Sequence, residues 1–237
     1  MLSCIAAYLL TAHSCGPDPV LWLDPKGRIL LSGKDATATF QDRVKRLRTP
    51  FGITYDFSGG RSAIRFQDLP DLHLTGSMTV AVWIYPRSYA IDGFGSQILF
   101  RGDDRPGLDP YYLRLEPDGR IHFCIQNEQN VPAQVSAVVP LRQWTRVTAN
   151  FDARLGRMEM WIDGERRDAA STSVKPMIDL DPNAAPGVAV GNINEGGYNQ
   201  PYDGLLADLR LYSTSLGPRR AGFNPSFVVA ARDIKGP

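Results

Sequence analysis

Ser77-Met-Thr-Val-Ala-Val-Trp-Ile-Tyr-Pro86 is the stretch that decides the fold. Apolar and polar residues alternate over much of it, as in a β-strand with one wet face. Two other regions read the same way. One is Trp144-Thr-Arg-Val-Thr-Ala-Asn-Phe151 continued by Met158-Glu-Met-Trp-Ile-Asp-Gly164. The other is Tyr202-Asp-Gly-Leu-Leu-Ala-Asp-Leu-Arg-Leu-Tyr212. Between them, short apolar runs recur about every ten to fifteen residues, the spacing of an all-β sandwich. Gly and Pro, 22 and 18 of them, punctuate these runs. Glu116-Pro-Asp-Gly119 is a hairpin turn signal, Asp152-Ala-Arg-Leu-Gly156 links a second pair, and Asp163-Gly164 marks a tight reversal. No stretch of any length carries a helical period, so the reading contains no helix.

Composition narrows the function classes. The chain has 237 residues, 43% of them hydrophobic, which suits one large sandwich with a sizeable core. Its 26 basic and 25 acidic residues leave a net charge of +1 and no basic stripe, which argues against nucleic acid as a partner. The densest basic run, Arg43-Val-Lys-Arg-Leu-Arg48, reads as a solvated loop or edge. Cys4, Cys15 and Cys124 are too few for a disulfide framework, although Cys4 and Cys15 would close a short loop in an oxidising compartment. Cys124 lies among apolar neighbours and reads as a buried thiol. The three histidines stand far apart and no Cys-x-x-Cys pair occurs, so a zinc site is not expected.

Three regions follow from this pattern. Residues 1–18 form an apolar N-terminal extension. It has no basic n-region and is too short to span a bilayer, so neither a cleaved signal peptide nor a membrane span is expected. Residues 19–216 form the sandwich. Residues 217–237 form a tail whose Phe223, Phe227 and Val228-Val-Ala-Ala231 are too apolar for a disordered end, so it packs on the domain or on a partner.

Laid end to end, these segments resemble the laminin-G-like branch of the concanavalin A-like lectin/glucanase superfamily. Ser77–Pro86 is similar to its "SFTISAWVKP" strand, and Asp118-Gly119-Arg120, Trp144-Thr-Arg-Val and Met158–Gly164 to its "DGK … WTHVA … LYVDG" series. Gly191, Tyr202-Asp-Gly204 and Leu209-Arg-Leu-Tyr212 resemble "IG … FDGxIDEVRIYNRAL", closed by Ser215-Leu216, and Ile53 to Phe66 resembles "LxFDGxxDYV". The similarity runs in order from about Trp22 to Leu216. It implies two antiparallel sheets in a jelly-roll sandwich, with Trp83, Trp144 and Trp161 in the core or at its margins.

The resemblance also frames the chemistry. Glycosidases of this superfamily place paired carboxylates on one strand face in a Glu-x-Asp-x-x-Glu run. The nearest counterpart is Glu159 with Asp163, but Asp163-Gly164 reads as a turn, and Glu116 and Glu128 lack partners. No catalytic residue is expected. Many laminin-G-like domains hold calcium with loop oxygens. Asp203 matches the family's "FDG" Asp, while Ala207 replaces the "IDE" Asp with Asp208 following it, and Ser58 replaces the early "FDG" Asp. Asp203 and Asp208 are thus the candidate calcium ligands, and Asp103, Asp104, Asp109, Asp179 and Asp181 lie in loops that could contribute. A lectin site would use Asn hydrogen bonds and an aromatic platform, for which Tyr89, Tyr111, Tyr112, Asn192, Asn194, Tyr198 and Asn199 are the candidates. The leading expectation is a non-catalytic recognition or assembly module outside the cytoplasm, an accessory or scaffold subunit contacting protein. A carbohydrate-binding lectin-like module comes second, and a divergent glycoside hydrolase third.

Overall fold

A computed structural model describes residues 16–90, 94–193 and 199–232. The strands in chain order are β1 (Leu21–Leu23), β2 (Ile29–Leu31), β3 (Lys34–Asp35), β4 (Thr39–Gln41), β5 (Lys45–Thr49) and β6 (Gly52–Ser58). Next come β7 (Ala63–Gln67), β8 (Met78–Pro86), β9 (Ser96–Gly102), β10 (Tyr111–Leu115), β11 (Arg120–Gln126) and β12 (Pro132–Val138). The last are β13 (Thr145–Asp152), β14 (Arg157–Ile162), β15 (Glu165–Ser171), β16 (Gly187–Val190) and β17 (Asp203–Tyr212), followed by helix α1 (Pro225–Arg232).

They form the two antiparallel sheets of a jelly-roll sandwich. A ten-stranded sheet runs β15-β14-β13-β8-β17-β1-β2-β3, and the β5–β6 hairpin branches off β17. A seven-stranded sheet runs β12-β11-β10-β9-β16-β7-β4. The core lies between them. Val80, Val82, Val147, Phe151, Leu209 and Leu211 of the larger sheet meet Leu99, Leu113, Phe123, Ile125 and Val188 of the smaller one.

The wet-face reading of the central strands does not hold. β8 is buried at every residue, and β13 and β17 at all but one each. The outer face of the larger sheet is covered by the chain's own C-terminal segment, and its polar side chains hold that segment. Thr79 Oγ1 donates to the Thr214 carbonyl (2.7 Å) and accepts from the Leu216 N–H (2.9 Å). Asn150 Nδ2 donates to the Leu216 carbonyl (3.0 Å), and Arg146 Nη2 to the Ala221 carbonyl (3.0 Å). Residues that look like a solvated face are therefore buried anchors, each hydrogen-bonded to backbone, with Arg146 Nε left without a partner among the described residues.

The segment ends in α1, which corrects the helix-free reading. Its eight residues are too few to show a period in the sequence. Pro225 opens it, as Pro favours the first helical position. Phe227 and Ala231, four apart and hence on one face, pack on Phe51, Trp83, Tyr85 and Trp144. Phe227 lies 5.8 Å from the Phe51 ring and 6.2 Å from Trp83. Trp83 and Trp144 thus belong to a second apolar cluster outside the inter-sheet core. No helix among the described residues is long and apolar enough to cross a membrane.

A bulge in β17 between Ala207 and Arg210 adjusts the alternation. Leu206 and Leu209, three apart, both face the core while Leu205 and Ala207 face outward. Asp208 sits in the bulge at φ 49°, a left-handed conformation that Asp tolerates better than most residues.

Candidate functional site

The strand ends and outer faces carry the candidate residues, and the structure distributes them over several places. Asn192 is buried and ties the loop after β16 to itself. Its Nδ2 donates to Asn199 Oδ1 (2.8 Å), and its Oδ1 accepts from the N–H groups of Ile193 and Gln200 (both 2.9 Å). Asn199 Nδ2 donates to the Gly60 carbonyl (2.8 Å). These two asparagines form a bracket between two loops. Asn194 and Tyr198 lie outside the described residues.

The three other tyrosines separate. Tyr111 is fully buried in the inter-sheet core and its hydroxyl donates to the Leu72 carbonyl (2.9 Å), so no ligand reaches it. Tyr89 packs against the core and donates to the Val139 carbonyl (2.8 Å). Tyr112, one residue on, faces the opposite side of β10, as the period of two requires. It joins Phe100, Cys124 and Ile193 in an apolar cluster on the outer face of the smaller sheet. The Arg114 guanidinium lies 4.9 Å from its ring centroid. Burial and then the Cys124 thiol push the Tyr112 phenol up, and burial pushes that thiol up to about 11, so neither ionises near neutral pH. Asp109 lies at the margin of this cluster. Burial, then the neighbouring Asp103 carboxylate, raises it to about 7.

The carboxylates proposed as calcium ligands are engaged elsewhere. Asp203 Oδ1 accepts from Arg87 Nε (2.8 Å) and Oδ2 from the Ser88 hydroxyl (2.9 Å). Arg87 Nη2 also donates to Asp56 Oδ1 (2.7 Å), so one guanidinium bridges two carboxylates. Burial alone would lower Arg87, but its hydrogen bonds to Asp203 and Asp56 hold it above the usual arginine range. Asp208 Oδ1 accepts from Trp22 Nε1 and Arg210 Nε (both 2.8 Å), and its Oδ2 faces Arg146 Nη1 at 3.4 Å. Five residues of strand separate Asp203 from Asp208 by roughly 16 Å, too far to share an ion. These residues do not fit a calcium site. No group of three or more His, Cys, Asp or Glu among the described residues would hold a metal. Asp103, buried, accepts from Arg105 Nη2 (2.6 Å) and from the Asp181 N–H (3.0 Å). Against the upward pull of burial, these contacts hold its carboxyl below the usual range.

Glu159 is ion-paired with both Arg157 and Arg166 at 2.9 Å. Asp163 stands at φ 53° and Gly164 at φ 82°, the paired positive angles of a type I′ hairpin turn. Its Oδ1 accepts from the Arg146 N–H (2.8 Å). Glu159 is thus held in ion pairs and Asp163 in a turn.

Sequence reasoning missed a cleft of about 660 Å³ at the edge of the sandwich. It lies where the β2–β3 turn and the β3–β4 loop overhang β7. Ser32, Lys34, Thr39, Arg65, Gln67 and Asp71 line it, with Leu31 and Leu69 as apolar floor. The Ser32 hydroxyl and Asp71 Oδ2 lie 2.5 Å apart across its mouth. Hydroxyls, an amide and charges of both signs suit a polar ligand rather than an apolar one. Its residues come from positions 31–39 and 65–71, and no local motif joins them.

Solved structures similar to this chain share its fold. The binding domain of botulinum neurotoxin serotype D aligns at TM-score 0.63 and 16% identity over 90% of this chain. The serotype D ligand-binding domain in complex with N-acetylneuraminic acid aligns at TM-score 0.61 and 15% identity, again over 90%. The binding domain of botulinum neurotoxin DC in complex with rat synaptotagmin II aligns at TM-score 0.65 and 12% identity over 91%. This chain spans about half the length of each, 52%, 50% and 52% respectively. No curated protein matches the sequence. The family model of the concanavalin A-like lectin/glucanases superfamily named Laminin_G_3 matches residues 58–220, more than half of the chain. With that match and the two-sheet jelly roll, the chain belongs to the concanavalin A-like lectin/glucanase superfamily.

Proposed function

We propose that this chain is a non-catalytic recognition module, working outside the cytoplasm as an accessory or scaffold subunit that contacts a protein partner. The observation that carries the reading is the state of its carboxylates. Asp24, Asp56, Asp68, Asp103, Glu116, Glu159, Glu165, Asp203 and Asp208 are each ion-paired with arginine. Acid–base chemistry needs a carboxyl free to exchange a proton beside a second group. Asp109 has the raised proton affinity, but its neighbour Asp103 is buried beneath Arg105.

A carbohydrate-binding reading stands second, and the edge cleft is what favours it. Its hydroxyl, amide and charged lining is the chemistry that reads sugar hydroxyls. Among the similar structures, each about twice the length of this chain, one is in complex with N-acetylneuraminic acid and another with rat synaptotagmin II.

Native isolation followed by gentle size-exclusion and mass spectrometry tests the proposal. A stoichiometric protein partner supports it. A lone monomer that instead binds a glycan array saturably transfers the function to the cleft. Glycan hydrolysis by the pure protein, lost in Asp109→Asn, overturns the non-catalytic reading.

A further inference from the structure

We propose that the open edge of β5 is a docking strand for an extended acidic segment of a partner protein, which adds to the larger sheet as one more strand. This rests on the protein-contact reading above and names the surface and the chemistry of the partner.

β5 pairs with β6 alone, from Lys45 opposite Asp56 to Thr49 opposite Gly52. Among the described residues nothing pairs with its other side. The remaining sheet edges are blunted. β3 and β4 are two and three residues long. β15 carries both signs of charge, with Glu165 on Arg167 and Arg166 on Glu159. Asp168 accepts from the Ser136 N–H of β12 (2.8 Å). β5 offers five residues of backbone, and the charge it carries is of one sign, which repels a like-charged strand and admits an acidic one.

Its side chains carry a charge that the molecule leaves unanswered. Arg43, Lys45, Arg46 and Arg48 are all exposed. None makes an ion pair among the described residues, and Asp42 is the one acid in the run. Asp56, directly across from Lys45, is held by Arg87 at 2.7 Å. The Arg46 guanidinium is laid 4.7 Å over the half-exposed Phe40 ring and 5.8 Å from Tyr55, which orders it without neutralising it.

Strand alternation turns this into a readout. Lys45, Leu47 and Thr49 point to one face of the sheet, Arg46 and Arg48 to the other. Leu47 rests against the apolar cluster of Phe51, Trp83 and Trp144. An added strand therefore presents acids opposite Lys45, Arg46 and Arg48 and an apolar residue opposite Leu47. Run antiparallel to β5, that is acid–apolar–acid–acid. Main-chain hydrogen bonds supply affinity and the alternating side chains supply selectivity. A polyanion lying on one face of the sheet, such as a sulfated polysaccharide, meets only part of this charge. A strand meets all of it.

The test uses the intact chain and a fluorescein-labelled peptide with the core Glu-Leu-Glu-Glu, followed by fluorescence anisotropy. Saturable binding is expected. Arg46→Glu with Arg48→Glu should weaken it at least about tenfold, and a peptide with lysines at the matching positions should recover binding to that variant. Methylating alternate peptide nitrogens, which keeps every charge but blocks the ladder, should abolish binding. Three results each overturn the proposal: no saturable binding, binding indifferent to N-methylation, or a sulfated polysaccharide binding the same residues more tightly than the peptide. A native complex that forms equally well with the charge-reversed variant leaves the recognition reading standing and removes this surface from it.

Discussion

Asp208→Asn removes one negative charge from a buried cluster and changes almost nothing else. Asp208 is 1% exposed, Arg146 is fully buried and Arg210 is 7% exposed. One carboxylate therefore faces two guanidiniums, a net positive cluster away from water. Arg146 offsets part of this with Nη1 and Nη2 on the Asp208 and Ala221 carbonyls (3.1 and 3.0 Å), and Arg210 lies 4.9 Å over the Trp22 ring. Burial pulls Arg146 down to about 10, so at neutral pH it is still a cation. Burial would lower Arg210 too, but the Asp208 carboxylate outweighs this and holds it above the usual arginine range. Asn keeps the left-handed backbone at φ 49° and an oxygen for the Trp22 N–H. What it loses is the charge, which strands two buried cations at a cost of about 3–5 kcal/mol. In a domain of this size each kcal/mol lowers Tm by about 2–4 °C, so the expected fall is roughly 6–20 °C. Calorimetry at pH 7 reads it, with urea unfolding as a check that the m-value is unchanged. Glu159→Gln, on a surface pair, should stay within about 1 kcal/mol. Replacing all three, Arg146→Met, Asp208→Asn and Arg210→Met, should recover at least half of the single-variant loss, because no buried charge then remains. A loss below about 1 kcal/mol for Asp208→Asn refutes the reasoning.

Asp109 has a folded-state pKa raised from 3.8 to about 7, so its contribution is fully present below about pH 4 and is lost as pH rises through 7. Asp109→Asn should remove that loss, amounting to about 2 kcal/mol after allowance for its partial exposure, and flatten the denaturation midpoint between pH 5 and 8 relative to the parent chain. Phe227→Ala should cost about 3 kcal/mol and shift tryptophan emission to the red as Trp83 and Trp144 meet water; unchanged Tm with unchanged emission would show that α1 does not seal that cluster. Millimolar calcium should leave Tm where it is, because both Asp203 oxygens already hold Arg87 and Ser88; a calcium-dependent rise would mean the ion displaces the guanidinium. Arg87→Ala, which leaves Asp56 and Asp203 without their shared donor, should cost about 1–2 kcal/mol in urea unfolding.

The sandwich was legible because its signals are local. Asp163-Gly164 and Glu116-Pro-Asp-Gly119 specify turns by their own backbone preferences, and apolar residues at every second position specify strands. The site was far less legible. Tyr111 and Tyr112 are adjacent and chemically equal, and only the pairing of Tyr112 with Phe100 and Cys124 decides which faces outward. Thr79, Arg146 and Asn150 read as a wet face because the segment that covers them begins after β17, more than sixty residues beyond β13. Asp203 matched a ligand position, yet Arg87 and Ser88, 116 and 115 residues away, take its oxygens. The edge cleft combines two stretches whose polar residues are individually ordinary.

Net charge of +1 conceals an uneven distribution. Arginines answer acids one by one at the strand ends: Arg28 on Asp24, Arg101 on Asp68, Arg105 on Asp103, Arg114 on Glu116. That pairing secures loops and strand ends, and it also cancels the local field there. Among the described residues the β5 run takes no part in it, so its cations stand unanswered along an edge where backbone is open to another chain. Exposed, unscreened cations act through a field that salt weakens over about 10 Å at 0.1 M, whereas apolar contacts and sugar hydrogen bonds respond little. The salt dependence of partner binding therefore separates the surfaces. A partner held at β5 should bind markedly more weakly between 0.05 and 0.5 M salt (roughly the span over which exposed pairs are screened), while one held by the edge cleft or the outer apolar cluster should not.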